Sequence, residues 1–316
     1  MKIFITGEAG LLAWAIKQQA AAFGIEVLSA PIGLTSKVTE HHAWRELNVL
    51  SSTFLHTIKQ LKPDCIIHSA AVVNTDKCLA NPQRCVEVNL HGTRLVLETC
   101  QKLKIPILYL STTATYEPKQ HLPLVETSLQ RPKTLYGITK YAGECLVTGQ
   151  NIAPWLVLRP CFIFGDPPRD HSSQLCRVVM HYFIKKYLPG EAGPIPRVTL
   201  DPYKVKDYMR VEDFARAVLM VIEKFWPFKI SKIFNVSIEQ ARPMIEYFNA
   251  TNIPLELEWV RQEDYLGHHV VSSAKLRESI DWQPQINPII GVRILVNKAM
   301  LFIMQAKKLK EKLYYQ

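Results

Sequence analysis

Tyr136 and Lys140 stand four residues apart in Tyr136-Gly137-Ile138-Thr139-Lys140, and Thr112 precedes Tyr136 by twenty-four residues. On a helix, positions i and i+4 share a face, so Lys140 is expected beside Tyr136. A free phenol ionises near pH ~10, and an adjacent ammonium favours the phenolate and lowers that value. The chemistry this set could do is proton transfer to or from an alcohol oxygen by Tyr136, with Thr112 hydrogen-bonding the same oxygen. A YxxxK spacing also arises by chance on exposed helix faces, so its meaning depends on its surroundings.

A second constellation lies at the start of the chain. Lys2 to Thr6 runs into Gly7-Glu8-Ala9-Gly10-Leu11-Leu12-Ala13, a GxxGxxA spacing between a strand-like run and a helical one. Glycines there let the backbone turn tightly and approach a pyrophosphate, whose charge rests on the free amides of the helix N-terminus. By itself the spacing also fits a tight turn that holds no ligand. An acid at the end of the second strand would bind the ribose of NAD. That position falls near Ser29, and no Asp or Glu follows before Glu40. The choice between NADP(H) and NAD(H) therefore leans slightly to NADP(H), with Lys37 as a 2′-phosphate partner.

The elements that must hold these residues follow from periodicity. Strands are expected at Lys2 to Thr6, Ile25 to Ser29, Arg45 to Val49, Asp64 to Ser69, Ile105 to Ser111 and Trp155 to Arg159. Between them run helical stretches at Leu11 to Phe23, Ser52 to Leu61, Pro82 to Leu103 and Leu135 to Thr148. Continuously apolar strands alternating with helices indicate an α/β, Rossmann-type doubly wound parallel sheet. Beyond about residue 165, Pro and Gly become frequent and helices such as Val211 to Glu223 stand apart. Residues 1–165 are read as the dinucleotide-binding domain, with later segments such as Lys232 to Val236 returning to it. Residues 166–316 are read as a smaller substrate-binding lobe with a C-terminal helix.

Composition narrows the class. Apolar residues make up 48% and charged ones 21%, enough for a large core and too apolar for a disordered chain. The longest uncharged run, around Cys145 to Pro160, is too short and polar for a bilayer span, and no charged leader precedes the first strand. A cytoplasmic location is expected. The seven cysteines form no CxxC pair, which fits reduced thiols better than a disulfide framework or a zinc site. No metal-ligand spacing is present, and His41-His42 and His268-His269 read as solvated loops. The net charge of +10 points to an anionic partner. Nucleic acid is not expected, since no reading motif accompanies the charge.

Taken in order, TGEAGLLA, His68 to Ala71, Asn89 in VNLHGT, Thr112 and YGITK resemble the extended short-chain dehydrogenase/reductases, which act mainly on nucleotide sugars. Residues 69–79, 111–118 and 132–144 are most similar to the branch that reduces dTDP-4-dehydrorhamnose. The later half, at Lys206 to Asp213, Ser273 to Arg277 and Asp281 to Pro284, resembles the epimerase and dehydratase branch.

The resemblance implies a cofactor site in which Gly7, Gly10 and Leu11 lie against the pyrophosphate, and Asn48 and Val49 lie near the adenine. It further implies Ala70 and Ala71 beside the pyrophosphate and ribose, Tyr136 and Lys140 at the nicotinamide ribose, and Pro160 to Ile163 flanking the nicotinamide. Thr112, Thr113 and Arg210 would face a nucleotide-sugar substrate, Arg210 through its phosphates or, equally, as a surface salt bridge. Asn89 would hold a backbone group near the strand ending at Ser111. A 4,6-dehydratase would carry Asp-Glu after the threonine, and Thr113-Ala114 stand there instead, so dehydration is disfavoured. Three functions stay open: an NAD(P)H-dependent keto-sugar reductase with Tyr136 as proton donor, an NAD-dependent nucleotide-sugar epimerase, and a non-catalytic dinucleotide-binding regulatory protein. The chain also resembles the regulatory subunits of methionine adenosyltransferase.

The C-terminal segment carries apolar residues at Val292, Leu295, Val296, Ala299, Phe302, Ile303, Ala306, Leu309 and Leu313, with lysines at 307, 308, 310 and 312. This is one stripe of a long helix. It fits packing on the body or on the partner of a homodimer, and also peripheral contact with an anionic membrane.

Overall fold

The computed structural model describes residues 1–29, 47–73, 75–118, 120–150, 154–167, 170, 173–191, 197–198, 202–227, 229–254, 258–259 and 267–314. Eight of its strands organise the chain: β1 (Lys2–Thr6), β2 (Glu26–Leu28), β3 (Cys65–His68), β4 (Ile107–Leu110), β5 (Trp155–Pro160), β6 (Phe162–Phe164), β7 (Tyr208–Arg210) and β8 (Lys232–Val236). The central sheet has the order β8-β5-β4-β3-β1-β2, with every neighbouring pair parallel. Strands β1, β3, β4 and β5 are almost wholly buried, which explains their unbroken apolar sequences. The chain leaves β1 in one direction to reach β2 and in the other to reach β3, so a crevice opens at the carboxyl ends of β1 and β3.

Eight helices frame the sheet and the lobe beside it: α1 (Leu11–Gln19), α2 (Phe54–Leu61), α3 (Thr93–Leu103), α4 (Leu135–Thr148), α5 (Gln174–Tyr187), α6 (Val211–Phe225), α7 (Met244–Asn249) and α8 (Pro288–Tyr314). One face of the sheet is covered by α1 and α6, whose Ile16, Phe214 and Val218 share a core with Ile3, Leu108 and Trp282. The other face packs Phe54 and Ile58 of α2, Val96 and Cys100 of α3 and Val147 of α4 against Phe4, Ile66 and Val157. A separate core joins α5, α7 and α8 through Val179, Phe183, Tyr247, Leu295 and Ala299. The late motifs meet at α6: the Asp213 carboxylate accepts from the Gln285 and Ile286 amides at 2.9 Å each, and buried Trp282 donates to the Asp213 carbonyl.

Several expectations need correction. The strand expected at Arg45 to Val49 is not in the sheet: residues 45 and 46 lie outside the described residues, and Leu47 to Val49 form an irregular segment whose Leu47 and Val49 side chains enter the core. The sixth strand is instead β8, which adds to the far edge beside β5. The stretch from Pro82 to Leu103 is helical but passes through a π-helical segment, Glu87–Gly92, before α3. The reading that no stretch could span a bilayer also changes. Pro288–Lys310 has a mean hydropathy of 1.6 over its most apolar window and is long enough to cross one, although a third of that window is buried against the body. All seven cysteines are free thiols, six of them buried.

Candidate active site

The glycine turn is built by steric demand. Gly7 has φ +77°, and a Cβ there would lie 3.1 Å from the Ala70 backbone, so the turn after β1 and the segment after β3 touch through a bare backbone. Gly10 donates its amide to the Gly7 carbonyl at 2.9 Å and starts α1 with no side-chain cap and no acid in the first turn. A loop held open by a missing Cβ, leading to an uncapped helix N-terminus, fits a dinucleotide pyrophosphate. Leu11 abuts Gly165, where a Cβ would come 2.6 Å from the Leu11 Cδ1. One residue of this loop carries no signal in the sequence: Glu8 is buried, and Lys17 on α1 neutralises it at 3.4 Å.

A buried chain of hydrogen bonds fixes the same edge. The Thr6 hydroxyl accepts from the Ser69 and Ala70 amides at 3.0 Å each and donates to His68 Nδ1 at 2.8 Å. His68 Nε2 then donates to Thr93, whose hydroxyl donates to the Asn89 carbonyl at 2.7 Å. His68 is neutral: burial first, and the Lys140 charge second, push its pKa down to about 3. Asn89 is structural as expected, with a different partner. Its side chain closes on both backbone groups of Val72, after β3, and donates to Thr139 of α4 at 3.0 Å.

Thr112 follows β4 and caps the short 3₁₀ turn Thr113–Thr115 by accepting from the Ala114 amide at 3.2 Å. Helix α4 begins at the cap Thr134, whose hydroxyl accepts from the Gly137 amide. A Cβ on Gly137 would stand 2.5 Å from the Ala114 carbonyl, so only glycine lets the helix come this close to the Thr112 loop. The approach sets the Thr112 side chain beside the Tyr136 phenol. Burial raises the Tyr136 pKa to about 12, and the Thr112 hydroxyl opposes the rise. The lowering expected from Lys140 does not occur. Lys140 is buried with its ammonium 4.2 Å from the centre of the Tyr109 ring, and burial brings its own pKa down to about 7 against the opposing pull of Glu144. Glu144 is itself held by Arg159 and by the Ser111 hydroxyl at 2.6 Å.

Asn48, expected near the adenine, turns its side-chain oxygen to the Leu50 amide, and Val49 packs on Gly92. Ala71 is half-buried beside Ala70, Pro160 ends β5, and Ile163 lies in β6, paired with Met209 of β7. Ser29 is exposed just past β2, while Lys37, Glu40 and His41-His42 lie outside the described residues. Arg210 is not a free cation: Asp166 and Glu212 hold it. It is 2% exposed, and its guanidinium is engaged by Asp166 at 2.7 and 2.9 Å and by Glu212 at 2.6 and 2.9 Å. Nor is it a surface pair: two carboxylates saturate it inside the protein.

The reading of His268-His269 as a solvated loop holds for His268 alone. His269 is buried, donates from Nε2 to the Thr113 carbonyl at 3.1 Å and meets the Phe162 ring edge-on. Its backbone amide bonds to the Val205 carbonyl, beside Lys206, whose ammonium donates to the Gly267 carbonyl at 2.8 Å. No sequence spacing links residue 269 to residue 113.

The arrangement is a bare-backbone glycine turn and a half-buried phenol beside a threonine, along the same carboxyl edge of one parallel sheet. A putative UDP-glucose 4-epimerase of Methanocaldococcus jannaschii is 24% identical over 245 residues, covering 74% of this chain and 76% of that one. A dTDP-4-dehydrorhamnose reductase of Sinorhizobium fredii is 28% identical over 178 residues, 56% of each chain. The crystal structure of Thermus thermophilus UDP-glucose 4-epimerase in complex with NAD superimposes with a TM-score of 0.76 at 24% identity, covering 95% of this chain and 99% of that one. The family model for NAD dependent epimerases and dehydratases matches residues 3–237, and the chain belongs to that family, within the extended short-chain dehydrogenase/reductases.

Proposed function

We propose that the protein catalyses the NAD(P)H-dependent reduction of a keto group on a nucleotide-activated sugar, with Tyr136 as the proton donor. The observation that carries this reading is the close approach of α4 to the turn after β4, where a Cβ on Gly137 would stand 2.5 Å from the Ala114 carbonyl, which sets the Tyr136 phenol beside Thr112 with its pKa raised to about 12 by burial. A general acid must hold its proton until the transition state, and this phenol does so across the neutral range. The dinucleotide, when bound, supplies the hydride. Gly7, Gly10 and Leu11 would hold its pyrophosphate, Asn48 and Val49 its adenine, Ala70 and Ala71 its first ribose, and Lys140, Pro160 and Ile163 its nicotinamide end. Thr112 orients the substrate carbonyl toward Tyr136, and Thr113 lines the same side. NADP(H) is favoured because Ser29 leaves the ribose end without an acid. Residues 1–165 would serve the cofactor and residues 166–316 the sugar nucleotide.

An epimerase using the same groups is the second reading, motivated by the UDP-glucose 4-epimerases among the relatives. Purified protein incubated with NADPH or NADH and 4-keto nucleotide sugars is expected to consume the reduced cofactor. Tyr136→Phe is expected to lower kcat about 10²–10⁴-fold, a far larger effect than on dinucleotide affinity. Dinucleotide retained through purification, with interconversion of C4 epimers and no net oxidation, would favour the second reading. No turnover of either kind would overturn both.

A further inference from the structure

Two helices gather lysines at one end of the molecule. The core shared by α5 and α8 runs through Val179, Phe183, Leu295, Ala299 and Ile303, and an ion pair between Lys310 and Glu191 joins the end of α8 to the turn after α5. Lys185 and Lys186, in the last turn of α5, therefore lie at the same end as Lys307, Lys308 and Lys310. Large apolar side chains are exposed on the same half of α8: Leu301 at 55%, Met304 at 39% and Leu309 at 63%.

From this juxtaposition we propose that the lysine-rich end of α5 and α8 rests on an anionic phospholipid bilayer, with Leu301, Met304 and Leu309 entering the headgroup boundary. An interfacial helix has this composition, with apolar residues on its outer face and lysines whose stems cover apolar surface while their ammonium groups reach the headgroups. Crossing the bilayer is excluded by packing: Val292, Leu295, Ala299 and Ile303 are buried in the body, and extracting α8 would expose that core. A nucleic-acid backbone would set hydrated phosphates against three apolar side chains. A second copy meeting this face about a two-fold axis would bring the lysines of both copies together. The anionic leaflet satisfies both the charge and the apolar surface.

The test is co-sedimentation of the full chain with phosphatidylcholine vesicles, with and without phosphatidylserine. Binding is expected to the serine-containing vesicles alone and to fall as salt rises. Lys185→Glu and Lys186→Glu should each weaken it about fivefold or more. The double variant Leu301→Asp/Met304→Asp should lower it about tenfold or more, with an unchanged melting temperature because both side chains are exposed. Failure to sediment, equal binding to neutral vesicles, or a double variant that binds like the parent overturns the proposal. So does a dimer that the double variant dissociates, or binding to duplex DNA that it leaves intact. None of these readouts depends on turnover, so the outcome is separate from that of the enzymatic assay.

Discussion

The Lys140 ammonium lies 4.2 Å from the centre of the Tyr109 ring, and the Tyr109 hydroxyl donates back to the Lys140 carbonyl at 3.2 Å. The two residues hold each other at both ends, and this fixes α4 against β4. It also gives Lys140 and Tyr136 separate electrostatic settings although they share a helix. Burial and Thr112 set the acidity of Tyr136, while the lysine is a buried cation packed on an aromatic face.

That burial gives the free protein a pH signature. Lys140 has a pKa of about 7 in the folded protein against an ordinary 10.5. Below the lower value both folded and unfolded chains carry the proton, and the cost of burying the charge is present in full. Between the two values the unfolded chain holds a proton that the folded one has released, so stability rises with pH. Lys140→Met removes the penalty, and Arg159 still neutralises Glu144. The ligand-free variant is expected to melt higher than the parent at about pH 6, with the difference shrinking toward about pH 10. A gap that stays constant across thermal melts in this range would refute the assignment.

His269 is bonded to the Thr113 carbonyl and is expected to act as a positioning residue for the Thr112 loop. His269→Phe keeps the ring and removes the donor, and kcat is expected to fall about tenfold, since small displacements of a reacting group are costly. His269→Gln, which can still donate, should recover most of the loss. Dinucleotide affinity by fluorescence titration should be equal in all three proteins. A Phe variant as active as the parent, with the Gln variant impaired, would mean that the imidazole acts through its bulk alone.

The Arg210 cluster is expected to matter for stability and not for substrate affinity. Asp166 and Glu212 hold the guanidinium, and the Asp166 carboxyl is kept below its ordinary pKa by Arg210 and Lys298 despite partial burial. Arg210→Met strands two carboxylates and should cost about 3–5 kcal/mol in urea denaturation. A variant of parental stability with a raised KM for the nucleotide sugar would instead restore Arg210 as a phosphate ligand.

The sheet is legible in the sequence because its strands are apolar on both faces and its helices keep their period, so Lys2–Thr6, Leu135–Thr148 and α6 lie where periodicity puts them. The glycine turn is legible because Gly7 answers a local steric need. Partnerships distant in sequence are not. Asp166 meets Arg210 across 44 residues and His269 meets Thr113 across 156, and no local pattern encodes either. The acidity of Tyr136 escapes the sequence for a related reason: spacing puts Lys140 on its helix face, but only the fold decides which ring the ammonium covers.

Asn89 uses both ends of its amide group on one neighbour and a third contact on another: Val72, in the segment that carries Ala70 and Ala71, and Thr139, one turn after Tyr136. The distance between the segment that carries Ala70 and Ala71 and the helix that carries Tyr136 is thus gauged by a single side chain inside a π-helical turn. Any slip of α4 along its axis is felt at the segment after β3. Changes at Asn89, Ala70 and Tyr136 should therefore be non-additive, as parts of one preset instrument whose alignment precedes the arrival of either ligand.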